Sequence, residues 1–281
     1  MRIGVMAKTF VRAGLEEALD AVLLHGLDCV QFNMACVGLP PLPEQIDPSV
    51  TARIRRETEA RGITLAAVSG TFNMIHPDFS VRRDGLRRLG TLAAACPAMG
   101  APVITLCTGT RDPEDMWKRH PDNDSPEAWR DMLESLGEAL RKTEPFGVTL
   151  AVEPEVANVI DSASKARRLL DELASPRLKI VIDPANLFHL GELPRMGEIV
   201  DEAFDLLGED IVLAHAKDLS QDGEAGHEAA GQGVLDYDRY LMHLYRMQFR
   251  GPLILHGLSE DQVDDSISFL RGKMAKLAAT L

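Results

Sequence analysis

Four apolar runs in the second half of the chain each end on a residue that can bind a metal ion or move a proton. The run 148–152 meets Glu153 and Pro154, and the run 179–182 meets Asp183 and Pro184. The run 211–214 ends on His215, and the run 252–255 on His256. A continuous β-branched apolar run reads as a strand buried on both faces of a parallel sheet. Proline lacks the N–H that a ladder requires, so the first two strands stop at their carboxylates. Two carboxylates and two imidazoles at equivalent strand ends can share one divalent cation. That donor set suits Mn²⁺, Zn²⁺, Fe²⁺ or Co²⁺ better than Ca²⁺; Mn²⁺ or Zn²⁺ is preferred here, with Mg²⁺ also open.

Positioning four such ends requires a repeating scaffold. Strands are expected over 2–6, 28–33, 63–68 and 102–107, followed by the four that carry the candidate ligands. Helical patterns fall between them, over 13–25, from Asp47-Pro48 to about Ala60, from Ser80 to Met99, and onward from Ser125-Pro126. Later helices are expected over 162–173, 196–207, 237–247 and 261–277. Strict alternation of strand and helix argues for a parallel sheet. Eight such units in 281 residues, with no linker or low-complexity tract, predict one (β/α)8 barrel domain over residues 1–281. No Gly-x-Gly-x-x-Gly follows the first strand, which weakens a dinucleotide-binding reading. In such a barrel the C-terminal strand ends form the reactive face. Side chains two apart share a face of a strand, so Ala151, Val181 and Leu213 should point inward with Glu153, Asp183 and His215.

Composition narrows the function classes. With 43 acidic and 30 basic residues the net charge is −13, which opposes a general nucleic-acid surface. No run reaches the ~18 apolar residues of a membrane span, and the N-terminal stretch does not read as a secretory signal. Cys29, Cys36, Cys96 and Cys107 lack paired spacing and read as reduced thiols, so a cytoplasmic protein is expected. A homo-oligomer is left open.

Glu153, Asp183 and the run His215-Ala216-Lys217-Asp218 resemble the xylose isomerase-like TIM-barrel family of sugar isomerases, epimerases and inosose dehydratases. The helix from Arg82 through Ala95 to Gly100 is similar to that family's third helix. Gly231-Gln232-Gly233 to Asp236, and Gly251 to Ile254, resemble the approach to its last strand. The resemblance implies proton abstraction beside a metal-polarised carbonyl or alcohol, classically by two glutamates on opposite faces of the substrate. Two positions depart from that pattern. His256 stands where the family epimerases carry the second glutamate, and Asn186 where they tend to have a histidine.

On this reading Glu153 is the base if burial raises its pKa toward neutrality. His256 is either a ligand or a free acid/base, and Glu260 could swing in to replace the lost carboxylate. Lys217 could bind a substrate oxygen or pair with a carboxylate. His76, Trp117, His120, Asn186, Asp218 and Glu260 are candidate contacts for a small sugar-like substrate. The long segment 108–125 follows strand four and is expected to lie over the barrel mouth as a lid. The leading function is a metal-dependent isomerase or epimerase of a small sugar, polyol or keto-sugar. A lyase or dehydratase on a keto-sugar or keto-inositol, or a sugar-binding barrel without turnover, are the alternatives.

Overall fold

The computed structural model describes residues 1–280. Nine strands are formed: β1 (Arg2–Met6), β2 (Cys29–Phe32), β3 (Thr64–Ser69), β4 (Val103–Leu106), β5 (Thr149–Val152), β6 (Leu178–Ile182), β7 (Ile211–Asp218), β8 (Glu228–Ala229) and β9 (Pro252–Leu255). The major helices are α1 (Leu15–Leu24), α2 (Pro48–Ala60), α3 (Phe79–Met99), α4 (Pro126–Thr143), α5 (Ala163–Leu173), α6 (Met196–Leu207), α7 (Tyr237–Arg246) and α8 (Val263–Thr280). Strands β1 to β7 and β9 pair in parallel. The sheet closes because β6 pairs β7, β7 pairs β9, and β9 pairs β1. This is a (β/α)8 barrel, as the alternation predicts. Among the described residues no helix is long and apolar enough to cross a membrane, and all four cysteines are unpaired.

Strand alternation sorts the apolar side chains into two cores. Leu150 and Val152, Ile180 and Ile182, and Leu253 and Leu255 face the helices. Met6, Cys29, Ala67, Ala151, Val181, Leu213 and Ile254 fill the barrel interior. Gly4 lies beside this inner core, where a Cβ would come within 2.6 Å of the Cys29 carbonyl oxygen and 2.7 Å of Ile254 Cδ1. Because strand side chains repeat every two residues, the interior layer fixes the next layer toward the mouth. Two residues beyond Cys29, Ala67, Val103, Ala151, Val181, Leu213 and Ile254 come Gln31, Ser69, Thr105, Glu153, Asp183, His215 and His256. An apolar plug thus supports a polar ring.

Several helix starts follow the expected chemistry. Asp47 accepts from Ser49 N at 2.7 Å ahead of Pro48, and Ser125 accepts from Ala128 N at 3.1 Å ahead of Pro126. The start of α3 differs. Its cap is Asp78, which accepts from Ser80 N at 2.7 Å, so the helix begins at Phe79 and Ser80 serves through its backbone. Helix α1 is shorter than the expected 13–25, running from Leu15, after Gly14 as its N-cap, to Leu24. Strand β7 runs three residues past His215 because β8 supplies an antiparallel partner, Lys217 opposite Ala229 and Asp218 opposite Glu228.

Candidate metal and proton-transfer centre

Strands β5, β6, β7 and β9 deliver Glu153, Asp183, His215 and His256 to one place. Each offers a ligand atom, and these atoms lie within 4.8 Å of one another. His215 Nδ1 stands 3.3 Å from Glu153 Oε1 and 3.5 Å from Asp183 Oδ2. His256 Nδ1 stands 3.7 Å from the same Asp183 oxygen, and the two imidazoles are tilted with centroids 4.7 Å apart. Lys217 joins from the extension of β7, its Nζ 3.3 Å from Asp183 Oδ2. It donates to Asn186 Oδ1 at 2.6 Å, and Asn186 Nδ2 donates to Glu153 Oε1 at 2.7 Å.

Two buried side-chain atoms have no hydrogen-bond partner among the described residues: Asp183 Oδ2 and His256 Nδ1. Both belong to this cluster. Buried polar atoms are normally satisfied, so an orphan calls for a water, an ion or a functional role. A carboxylate oxygen and an imidazole nitrogen, unpartnered and facing each other, fit a divalent cation held with Glu153 and His215.

The electrostatics balance two carboxylates against nearby cationic groups. Burial pushes Asp183 up, but Lys217 and the two imidazoles outweigh it and hold the carboxyl well below its usual range. Burial likewise opposes ionisation of Glu153, yet His215 and Lys217 keep it below its ordinary value. Glu153 is therefore a carboxylate without the upward shift expected from burial alone. Burial disfavours a charged His215, but Glu153 and Asp183 overcome it and raise the imidazole to about 9. His256 moves the other way, its burial keeping it neutral against the pull of Asp183. Beside Glu153, burial and the Glu153 charge push the Cys107 thiol well up. Its Sγ, 4.0 Å from Glu153 Oε2, remains a weak donor.

The other candidate contacts are placed elsewhere. His76 accepts from Asp78 N at 3.0 Å through Nδ1 and meets Pro113 O at 3.0 Å through Nε2, so both ring nitrogens tie one loop to the next. His120 caps a short turn, accepting from Asp122 N at 3.2 Å. Trp117 is exposed. Asp218 accepts from the backbone N–H groups of Leu219, Gly231 and Leu235, which folds the glycine-rich loop after β7. Glu260 is locked to Arg12 at 2.5 and 2.8 Å, and that bond holds its carboxyl below the ordinary value. It nevertheless lines, with His256, Met6, Lys8 and Thr9, a cavity of about 650 Å³ over the ends of β1 and β9.

The segment 108–125 begins at the ligand-bearing end of the barrel, and both of its ends are tied down. Asn123 Oδ1 accepts from Thr110 Oγ1 and Arg111 N, and its Nδ2 donates to Ala157 O. Gly109 N donates to Asn158 Oδ1 at 2.6 Å, and Arg111 reaches Asp131 and Ile75 O. Between these anchored ends Glu114, Asp115 and Trp117 are exposed.

Reading charges alone passed over Gln31, Ser69 and Thr105. His215 Nε2 meets Gln31 Oε1 at 2.8 Å, and Gln31 Nε2 donates to Thr105 Oγ1 at 2.9 Å and Ser69 Oγ at 3.2 Å. The signal was present as a glutamine within an otherwise apolar strand. Glu155 was also passed over. Buried behind Glu153, its carboxyl is raised to about 7, chiefly by burial, and it accepts from Ala157 N and Asn158 Nδ2.

The family model for xylose isomerase-like TIM barrels matches residues 19–273. The chain belongs to that family. Within it, solved structures share the fold at low identity. A xylose isomerase domain protein from Planctomyces limnophilus is 20% identical, with 99% of each chain covered and a TM-score of 0.76. A D-tagatose 3-epimerase-like protein is 14% identical, covering 100% of this chain and 99% of its own, at 0.79. The 3-keto-D-glucoside 4-epimerase of E. coli is 17% identical, covering 97% and 99%, at 0.70. No curated protein matches the sequence. At these identities the structures establish the shared barrel.

Proposed function

We propose that the protein is a metal-dependent isomerase or epimerase of a small sugar, polyol or keto-sugar, working by proton abstraction next to a carbonyl. The observation that carries this reading is the pair of orphaned atoms, Asp183 Oδ2 and His256 Nδ1, inside a cluster of four ligand groups. Epimerase neighbours with the same barrel support a sugar-like substrate. A divalent ion held by Glu153, Asp183, His215 and His256 would supply Lewis-acid stabilisation of negative charge on a substrate oxygen.

The chain's own groups account for the proton. Glu153 Oε1 is committed to Asn186 and faces His215, whereas Oε2 has only the weak Cys107 thiol. Oε2 is the oxygen free to take a proton from the carbon beside the carbonyl. The C–H electron pair becomes a C=C bond and the carbonyl pair moves onto its oxygen, giving an enediolate. Returning the proton to the opposite face of the same carbon epimerises it. Returning it to the former carbonyl carbon, with the hydroxyl proton passing to the other oxygen, isomerises it. Lys217 stands close enough to the cluster to donate to that oxygen, with Asn186 holding its ammonium. Wrapping β7 with β8 and burying Lys217 excludes water from this side.

One carboxylate base in place of two also suits elimination, in which the enediolate expels a leaving group. The test uses protein loaded with Mn²⁺ or Zn²⁺ and a panel of ketoses in D₂O. Solvent deuterium entering the sugar supports isomerase or epimerase chemistry, and loss of water supports the lyase. Glu153→Gln should abolish deuterium uptake by at least about 10²-fold in protein that still binds the ion. Wild-type exchange in that variant rejects Glu153 as the base.

A further inference from the structure

The polar ring above the barrel plug joins its two halves at one bond. His215, on β7, reaches across the barrel to Gln31 on β2, and Gln31 in turn holds Thr105 on β4 and Ser69 on β3. All four lie one layer above inner-core residues, and Gln31, Thr105 and His215 are buried.

The chemistry of an amide gives this bond a direction. An amide oxygen only accepts, so the imidazole nitrogen facing it must carry a proton. A neutral imidazole has one N–H, and with that proton on Nε2 the lone pair is left on Nδ1. Nδ1 is the nitrogen that faces the ligand cluster, 3.3 Å from Glu153 Oε1 and 3.5 Å from Asp183 Oδ2. At its far end the amide NH₂ donates to two hydroxyls, Thr105 Oγ1 and Ser69 Oγ, which leaves the amide oxygen facing His215. Histidines that bind metals usually donate their other N–H to such an acceptor, which fixes tautomer and ring orientation.

We infer that Gln31 is a positioning residue of the centre: with Thr105 and Ser69 it holds His215 as the Nε2–H tautomer and presents Nδ1 to a divalent cation. This rests on reading the four strand ends as a metal site. No charge is added, since Gln31 is neutral and its position is set by the strand register rather than by ion pairing. An outer partner of this kind is worth about 10- to 100-fold in metal affinity.

The experiment compares wild type, Gln31→Met and Gln31→Glu. Methionine matches the length of glutamine but cannot accept from Nε2–H; glutamate can, and the hydroxyls of Thr105 and Ser69 can donate to it. Zn²⁺ affinity is measured by competition with a chromophoric chelator, and ring N–H signals by long-range ¹H–¹⁵N spectra, with and without Zn²⁺. Gln31→Met should weaken Zn²⁺ binding about 10- to 100-fold and expose the His215 Nε2–H to exchange. Gln31→Glu should retain both the affinity and the protected N–H, which a merely packing role would not require. Equal affinity and an equally protected N–H in Gln31→Met overturn the role of Gln31, as does loss in both variants alike. Wild type that binds neither Zn²⁺ nor Mn²⁺, with the ring proton still protected, overturns the metal reading instead.

Discussion

Asp183 Oδ2 is approached by three nitrogens, those of Lys217, His215 and His256, at 3.3 to 3.7 Å, and hydrogen-bonds to none of them. Nitrogens gathered at that spacing are arranged around a shared centre rather than paired with the carboxylate. His256 is the least committed member, kept neutral by its burial and lining the cavity. On the proposed mechanism, an imidazole at this strand end leaves Glu153 as the base on one side only. His256→Glu should therefore keep the metal and raise exchange that needs a second base. Metal content and solvent-deuterium incorporation, measured together on wild type and variant, check this. A variant that loses the metal assigns His256 an indispensable ligand role instead. The four ligand candidates were legible at this scale because each ends an apolar run. Gln31 was not, since a neutral amide in a strand carries no charge to mark it and its partner lies 184 positions away in the sequence.

At the scale of elements, the barrel was legible because every strand and helix has local periodicity. What joins the loops over the mouth was hidden, because asparagine side chains bond to backbone groups distant in sequence. Asn123 connects the start of the segment 108–125 to Ala157 after β5, and Asn73 connects it to the loop after β3 through Thr110. The length of the segment predicted a lid; this buried network straps its two ends to the neighbouring loops. Asn123→Ala removes one acceptor serving Thr110 and Arg111 and one donor to Ala157. Leaving those buried groups unpaired should cost about 1–3 kcal/mol. Urea denaturation followed by far-ultraviolet circular dichroism reads this as a lower midpoint with an unchanged slope. An unchanged midpoint shows that the strap is held by its salt bridges, such as Arg111 to Asp131 at 2.6 Å. The cap of α3 carries a related lesson. Asp78 outcompetes Ser80 because an aspartate one residue before the helix reaches the second helical N–H directly.

Across the whole molecule, the charge of the centre couples folding to pH and, on the proposed metal reading, to metal. The His215 imidazole is raised from 6.5 to about 9 by Glu153 and Asp183 against the cost of its burial. A raised folded-state pKa means the metal-free native protein holds a proton that the unfolded chain releases. Its contribution to stability is complete below about pH 6.5 and fades as the pH rises through about 9. Asp183 has the opposite sign, since its depressed pKa favours the native state until strong acid protonates it. A metal ion requires a neutral His215, so binding below pH 9 must expel that proton, and metal affinity should climb with pH up to about 9. By linkage these are one effect: between pH 6.5 and about 9 the metal-free protein weakens, while the metal-bound protein, with no proton on that nitrogen to lose, changes little. The difference in Tm between Zn²⁺-loaded and chelator-treated protein should therefore widen from pH 6 to pH 8.5. Calorimetry at pH 7.5 in buffers of different ionisation enthalpy should show about one proton released per ion bound. A gap in Tm that stays constant, with no proton released, means that His215 is already neutral in the metal-free protein, and that the carboxylates are balanced by Lys217 alone.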